Sequence, residues 1–158
     1  MTTQIQSEHF TNALYLLLDE AFDNVQGFFL DKGTSMFETL ATISADEASI
    51  PVGGKCATLA AQVKHAAFYL DVTSDTLQRG EYQRVDWGEI WCTTKEVGPE
   101  EWEAIKTELR ASYDRVKTLI AETPTWPSEK EIGMAMAMVV HTVYHLGEIR
   151  QALCTLIP

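Results

Sequence analysis

From Trp102 to Ile120 the chain carries an apolar side chain at every third or fourth position: Trp102, Ile105, Leu109, Tyr113, Val116 and Ile120. That spacing lines one face of an α-helix and no face of a strand, whose side-chain period is two. Pro99 suits the first helical position, and Glu100 and Glu101 sit well at the positive end of the helix dipole. Thr123-Pro-Thr-Trp-Pro127 ends the segment. A helix with one such stripe must bury it, so this segment demands partner helices.

The remaining sequence supplies them. Phe10, Leu14, Leu17, Ala21, Val25 and Phe28 recur at three and four and predict a helix over about 7–30, with Ser7 as N-cap. Asp31-Lys-Gly-Thr-Ser35 interrupts it, and a short helical piece is expected over 36–43, before a turn-rich stretch ending at Gly53-Gly54. Leu59, Val63, Ala67 and Leu70 predict a second long helix over about 57–77. Residues 79–98 hold Gly80, Gly88, Gly98, Trp87 and Trp91 without a sustained period, and read as a long structured loop between the second and third long helices. Ser128 caps a last helix running to about Leu156. Four long helices without a strand pair predict an all-α four-helix bundle, one domain over 1–158.

Charge and length exclude several functions. Acidic residues number 23 against 12 basic, for a formal net charge of -11, and Lys and Arg are scattered singly. Nothing offers a phosphate backbone a basic patch, so no nucleic-acid partner is expected. The uncharged run from Ile132 to Gly147 is short for a membrane span and carries two histidines, so no membrane partner is expected either. Residues Met1 to Glu8 lack the basic region and cleavage site of a signal peptide. Cys56, Cys92 and Cys154 contain no CxxC pair and read as thiols of a reducing cytoplasm, the expected location.

The histidines are His9, His65, His141 and His145. His141 and His145, four apart in a helix, lie one turn apart on one face. They share a stripe with Met134, Met138, Glu148 and Ala152, while His65 shares one with Ala61, Phe68 and Val72. If both stripes face inward, three imidazoles from two helices point at one another. Neutral imidazoles ligate zinc, nickel, copper or iron(II), and a His₃ set leaves coordination positions open, as catalytic sites do. The spacing alone suits core histidines with hydrogen-bond partners equally well.

Sharper metal patterns are missing. His141-Thr-Val-Tyr-His145 lacks the glutamate of a HExxH protease. No histidine follows a glutamate by three residues, as a di-iron bundle requires. The Gly53-Gly-Lys-Cys56 run lacks the flanks of a phosphate loop.

Several neighbours carry two readings each. Glu148, one turn past His145, can orient an imidazole, accept a proton or complete the ligand set, or it is a solvated residue near a helix end. Tyr144 packs or lines a pocket. Trp87 and Trp91, with Tyr82, Asp86, Glu89 and Cys92, either form a substrate pocket over the metal face or cover bundle core. His9 reads as a surface residue. Cys92 needs a positive neighbour to act as a nucleophile. Gly147 allows close approach of another helix.

Thr39-Leu-Ala-Thr-Ile-Ser-Ala-Asp-Glu47, a Gly-Gly turn, and Leu59-Ala-Ala-Gln-Val-Lys-His65-Ala-Ala-Phe-Tyr-Leu70 resemble the DinB/YfiT-like superfamily of four-helix bundles. Val140-His141-Thr-Val-Tyr-His145-Leu-Gly-Glu-Ile-Arg-Gln-Ala-Leu153 resembles its last helix, so the likeness spans nearly the whole chain. The resemblance implies one divalent metal, nickel or zinc, held by His65, His141 and His145. It further implies a small-molecule substrate, a low-molecular-weight thiol as possible cofactor, and either thiol S-transfer or hydrolysis. A non-catalytic metal-binding bundle used for binding, sensing or structure is the alternative. A homodimer is also implied, with Trp126 or the outer side of the first helix as candidate interface.

Overall fold

The stripe from Trp102 to Ile120 is buried along its whole length, on a helix that begins at Pro99 with Glu100 and Glu101 in its first turn. The computed structural model describes residues 5–52 and 57–156, and among these it contains seven helices and no strand, so the fold is all-α. Four helices are long: α1 (Ser7–Phe22), α4 (Leu59–Arg79), α6 (Pro99–Glu122) and α7 (Glu129–Leu156). Three are short: α2 (Met36–Leu40), α3 (Ala45–Ala48) and α5 (Glu89–Thr93). Cys56 and the Gly53-Gly54 turn lie outside the described residues.

Local chemistry sets the ends of these helices. Thr58 Oγ1 accepts the Ala61 N–H at 3.2 Å and starts α4, and Gly80 ends it at φ +70°, a left-handed conformation that favours glycine. Ser35 with Glu38 and Ser44 with Glu47 form capping boxes that start α2 and α3. Ser128 precedes α7 as expected, and its hydroxyl donates to Glu131 Oε2 at 2.6 Å.

Helix α4 packs most extensively on α6 and next on α7, and α1 closes against α7 and α6. Trp102, Tyr113, Phe22 and Leu18 are the bulkiest residues of the shared core. Phe22 stacks on Tyr113 with ring centroids 4.2 Å apart, and the Trp102 indole N–H donates to the Ile43 carbonyl at 2.8 Å. The indole thus buries its area without stranding its one donor. By length and composition α7 could cross a membrane, yet its inner side packs on α4 and α1 and buries His145.

Three expectations need correction. Helix α1 stops at Phe22, short of residue 30, because the carboxylate of fully buried Glu20 captures the chain that follows. Glu20 accepts the N–H groups of Phe28, Phe29 and Leu30 at 3.0, 2.9 and 2.8 Å. Gly27 supplies the turn at φ +86°, and Phe28 is left 63% exposed, off the stripe its spacing suggested. The α1 cap is Gln6, without a side-chain hydrogen bond, and Ser7 is the first helical residue. The segment over 79–98 is no pure loop, since it contains α5.

Two further residues singled out in the sequence have defined surroundings. Trp126 is used within the chain: its indole donates to Thr11 Oγ1 at 2.9 Å and its ring meets Phe10 edge-on. Gly147 has nothing within 4 Å of the position a Cβ would take, so among the described residues no helix makes use of its small size.

Candidate metal centre

The α4–α7 seam brings the three inward-facing imidazoles together. His65 comes from the second turn of α4, and His141 and His145 from successive turns of α7. One ring nitrogen from each lies within 4.8 Å of the others, and Nε2 of His65 and Nε2 of His141 are 3.3 Å apart. Nitrogens at about 2.0–2.1 Å from a tetrahedral zinc stand roughly 3.3–3.4 Å from one another. The His65–His141 pair stands at that distance, and a nitrogen of His145 lies within 4.8 Å of both.

Aromatic rings fix the three imidazoles in place. Tyr69 lies flat on His141, with centroids 3.6 Å apart and planes 7° apart. Trp91 tilts over His65 at 4.5 Å, and Trp87 meets the same ring edge-on at 5.9 Å. Glu148 Oε2 reaches within 3.0 Å of His145 Nδ1, at an angle that falls short of a hydrogen bond. The carboxylate thus lies near the ring nitrogen that would donate to it in a carboxylate–histidine pair, without making that hydrogen bond here.

The electrostatics favour neutral donors. Burial, reinforced by His145 and His65, pushes His141 down to about 3. Burial and then His65 push His145 down to about 4. Burial also lowers His65, an effect Glu148 partly opposes. All three rings keep a free lone pair at neutral pH, which is the state a metal requires. His65 Nδ1 and His145 Nδ1 are buried and lack a hydrogen-bond partner among the described residues. Buried polar atoms left this way are rare in folded chains and call for an explanation.

The triad opens onto a cavity of about 980 Å³. Trp91, Tyr144 and Glu148 are among the residues lining it. Tyr144 stands at the rim, 59% exposed, and Glu148 raises its phenol above the ordinary value by hydrogen bonding and by charge. Trp87 is not among the residues lining the cavity; it packs on Phe68 at 5.3 Å and donates to the Tyr82 hydroxyl at 3.0 Å. It supports His65 from outside the cavity. His9 is exposed on α1 and stands apart from the triad, and Cys92 is exposed on α5 and outside the cavity lining.

Sequence reasoning missed Tyr69, Gln62 and Thr94. Gln62 and Tyr69 sit three residues before and four after His65, on its face of α4, so helical spacing contained that signal. Thr94 follows α5, whose helical turn the sequence did not announce. No family model matches the chain, and neither a curated protein nor a solved structure matches it.

Proposed function

We propose that the chain is a DinB/YfiT-like four-helix bundle holding one divalent metal ion, nickel or zinc, on His65, His141 and His145. On this reading it is a metal-dependent enzyme that acts on a small molecule, as a thiol S-transferase or a hydrolase. The observation that carries it is the convergence of three neutral ring nitrogens within 4.8 Å at the floor of an open cavity. An ion held only for structure is enclosed by its ligands, whereas a catalytic one keeps an open side.

When bound, such an ion supplies Lewis-acid activation of water or a thiol near neutral pH. The chain's own residues do the rest. Glu148, 3.0 Å from His145 Nδ1, holds that ring's orientation and stands ready to take a proton at the cavity wall. Trp91 shields His65 from bulk water, and Tyr69 locks the His141 plane. The net charge of -11 supports a small-molecule substrate over a nucleic acid.

The test is turnover by protein stripped with a chelator and reloaded with nickel or zinc, using a small thiol plus an electrophile and, separately, activated esters. Turnover that requires metal and vanishes in His65→Ala supports the proposal. Full metal loading without turnover of either class supports the binding or sensing module instead.

A further inference from the structure

Around the triad, two buried or half-buried hydroxyls of the cavity wall already have partners. Thr58 Oγ1 accepts the Ala61 N–H, while Ser49 Oγ donates to the Ala45 carbonyl at 2.8 Å and accepts the Val97 N–H at 2.9 Å. Two side chains of the same wall differ. Gln62 Oε1 and Thr94 Oγ1 are buried and have no hydrogen-bond partner among the described residues. Their residues are only 8% and 5% exposed. Gln62 comes from α4, one turn before His65, and Thr94 from the end of α5, so two separate elements bring unsatisfied oxygens to one cavity. A buried acceptor without a donor is costly, and folding gains nothing from keeping two beside an open site.

The chemistry of these atoms limits what fits them. A glutamine carbonyl oxygen only accepts, whereas a threonine hydroxyl donates or accepts. One ligand group satisfies both if it donates to Gln62 and accepts from Thr94, which a hydroxyl or an amide does and a methyl or thioether does not. A carboxylate has no proton for Gln62, and Glu96 and Glu148 line the cavity against one Lys95.

We infer that Gln62 and Thr94 form a subsite that selects substrates bearing a hydroxyl or amide a few bonds from the group that faces the three histidines. This rests on the metal reading above. Gln62 and His65, three apart on one helix, have Cβ atoms about 5–6 Å apart, so the selected group lies close to the reacting end.

The experiment uses cobalt(II)-loaded protein titrated with 2-mercaptoethanol and with 1-propanethiol, which differ in a hydroxyl against a methyl. Binding is read from the sulfur-to-cobalt charge-transfer band. The expected result is about tenfold tighter binding of the hydroxyl compound by the wild type. That preference falls to near unity in Thr94→Val and in Gln62→Leu, with cobalt stoichiometry and thermal unfolding unchanged in the near-isosteric Thr94→Val. Equal affinities in the wild type overturn the subsite. A preference that survives both substitutions belongs to the ion and overturns it too. Failure to take up cobalt overturns the metal reading and the inference together.

Discussion

Glu20 and the histidine pair His65 and His145 are all polar and nearly inaccessible, yet their surroundings treat them in opposite ways. The Glu20 carboxylate receives three backbone N–H groups from the loop it organises. Desolvation alone would raise its carboxyl, but those hydrogen bonds outweigh burial and hold it below the ordinary value. Among the described residues Nδ1 of His65 and Nδ1 of His145 make no hydrogen bond, although Glu148 lies 3.0 Å from the latter, and Gln62 and Thr94 beside them each keep an unbonded oxygen. A polar group satisfied by its own backbone explains a turn of the chain. A set left without hydrogen bonds among the described residues, around one cavity, marks a place for a ligand.

The largest expected effect separates the two regions outright. His141→Ala should abolish stoichiometric metal binding, read by competition with a chromophoric chelator, while leaving the helical circular dichroism intact. Glu20→Ala should do the reverse: metal binding persists, but the loop over 24–30 loses its anchor and the melting temperature falls by roughly 5 °C or more. Equal loss of metal in both variants would erase the distinction.

A smaller effect sharpens the site itself. Glu148→Gln keeps the shape beside His145 and removes the charge, and should weaken metal affinity about tenfold or more without changing stoichiometry. Unchanged affinity would mean that the 3.0 Å contact orients nothing.

The pH dependence of the metal-free protein is the gentlest test, and its sign follows from linkage. Folding depresses the three histidines below their ordinary value near 6.5, to about 3 for His141 and about 4 for His145. The unfolded chain then binds more protons below about pH 6.5, so stability should decline as pH falls from there toward 4. Glu20, also depressed, stabilises above the ordinary carboxyl value near 4.3, and that contribution disappears only as pH falls through its lowered value. Denaturant titrations at pH 7, 5 and 4 should show the histidine window first. His141→Leu should flatten it and leave the acid limb of Glu20 in place.

Much of this architecture is legible in the sequence because apolar periodicity reports helices directly. The Trp102–Ile120 stripe, the start of α7 after Ser128, and the shared face of His141 and His145 all follow from spacing of three and four. The convergence of His65 with that pair needed only the assumption that both stripes face inward. Long-range events were not legible. Val25 and Phe28 continue the α1 period, and nothing local says that Glu20 will turn back to bind the backbone eight to ten residues on. Trp87 and Trp91 look alike in sequence, yet Trp91, on α5, lines the cavity, while Trp87, in the turn before that helix, packs on Phe68. Gln62 and Thr94 are noticeable only once their missing partners can be seen.

The most direct test of the central claim is the metal content of protein purified without an affinity tag, measured by elemental mass spectrometry beside His65→Ala. The account predicts about one nickel or zinc per chain in the wild type and none in the variant, with equal helicity in both. No stoichiometric metal in the wild type, even after reconstitution with each ion, would contradict it and leave the three histidines as residues of the helical core.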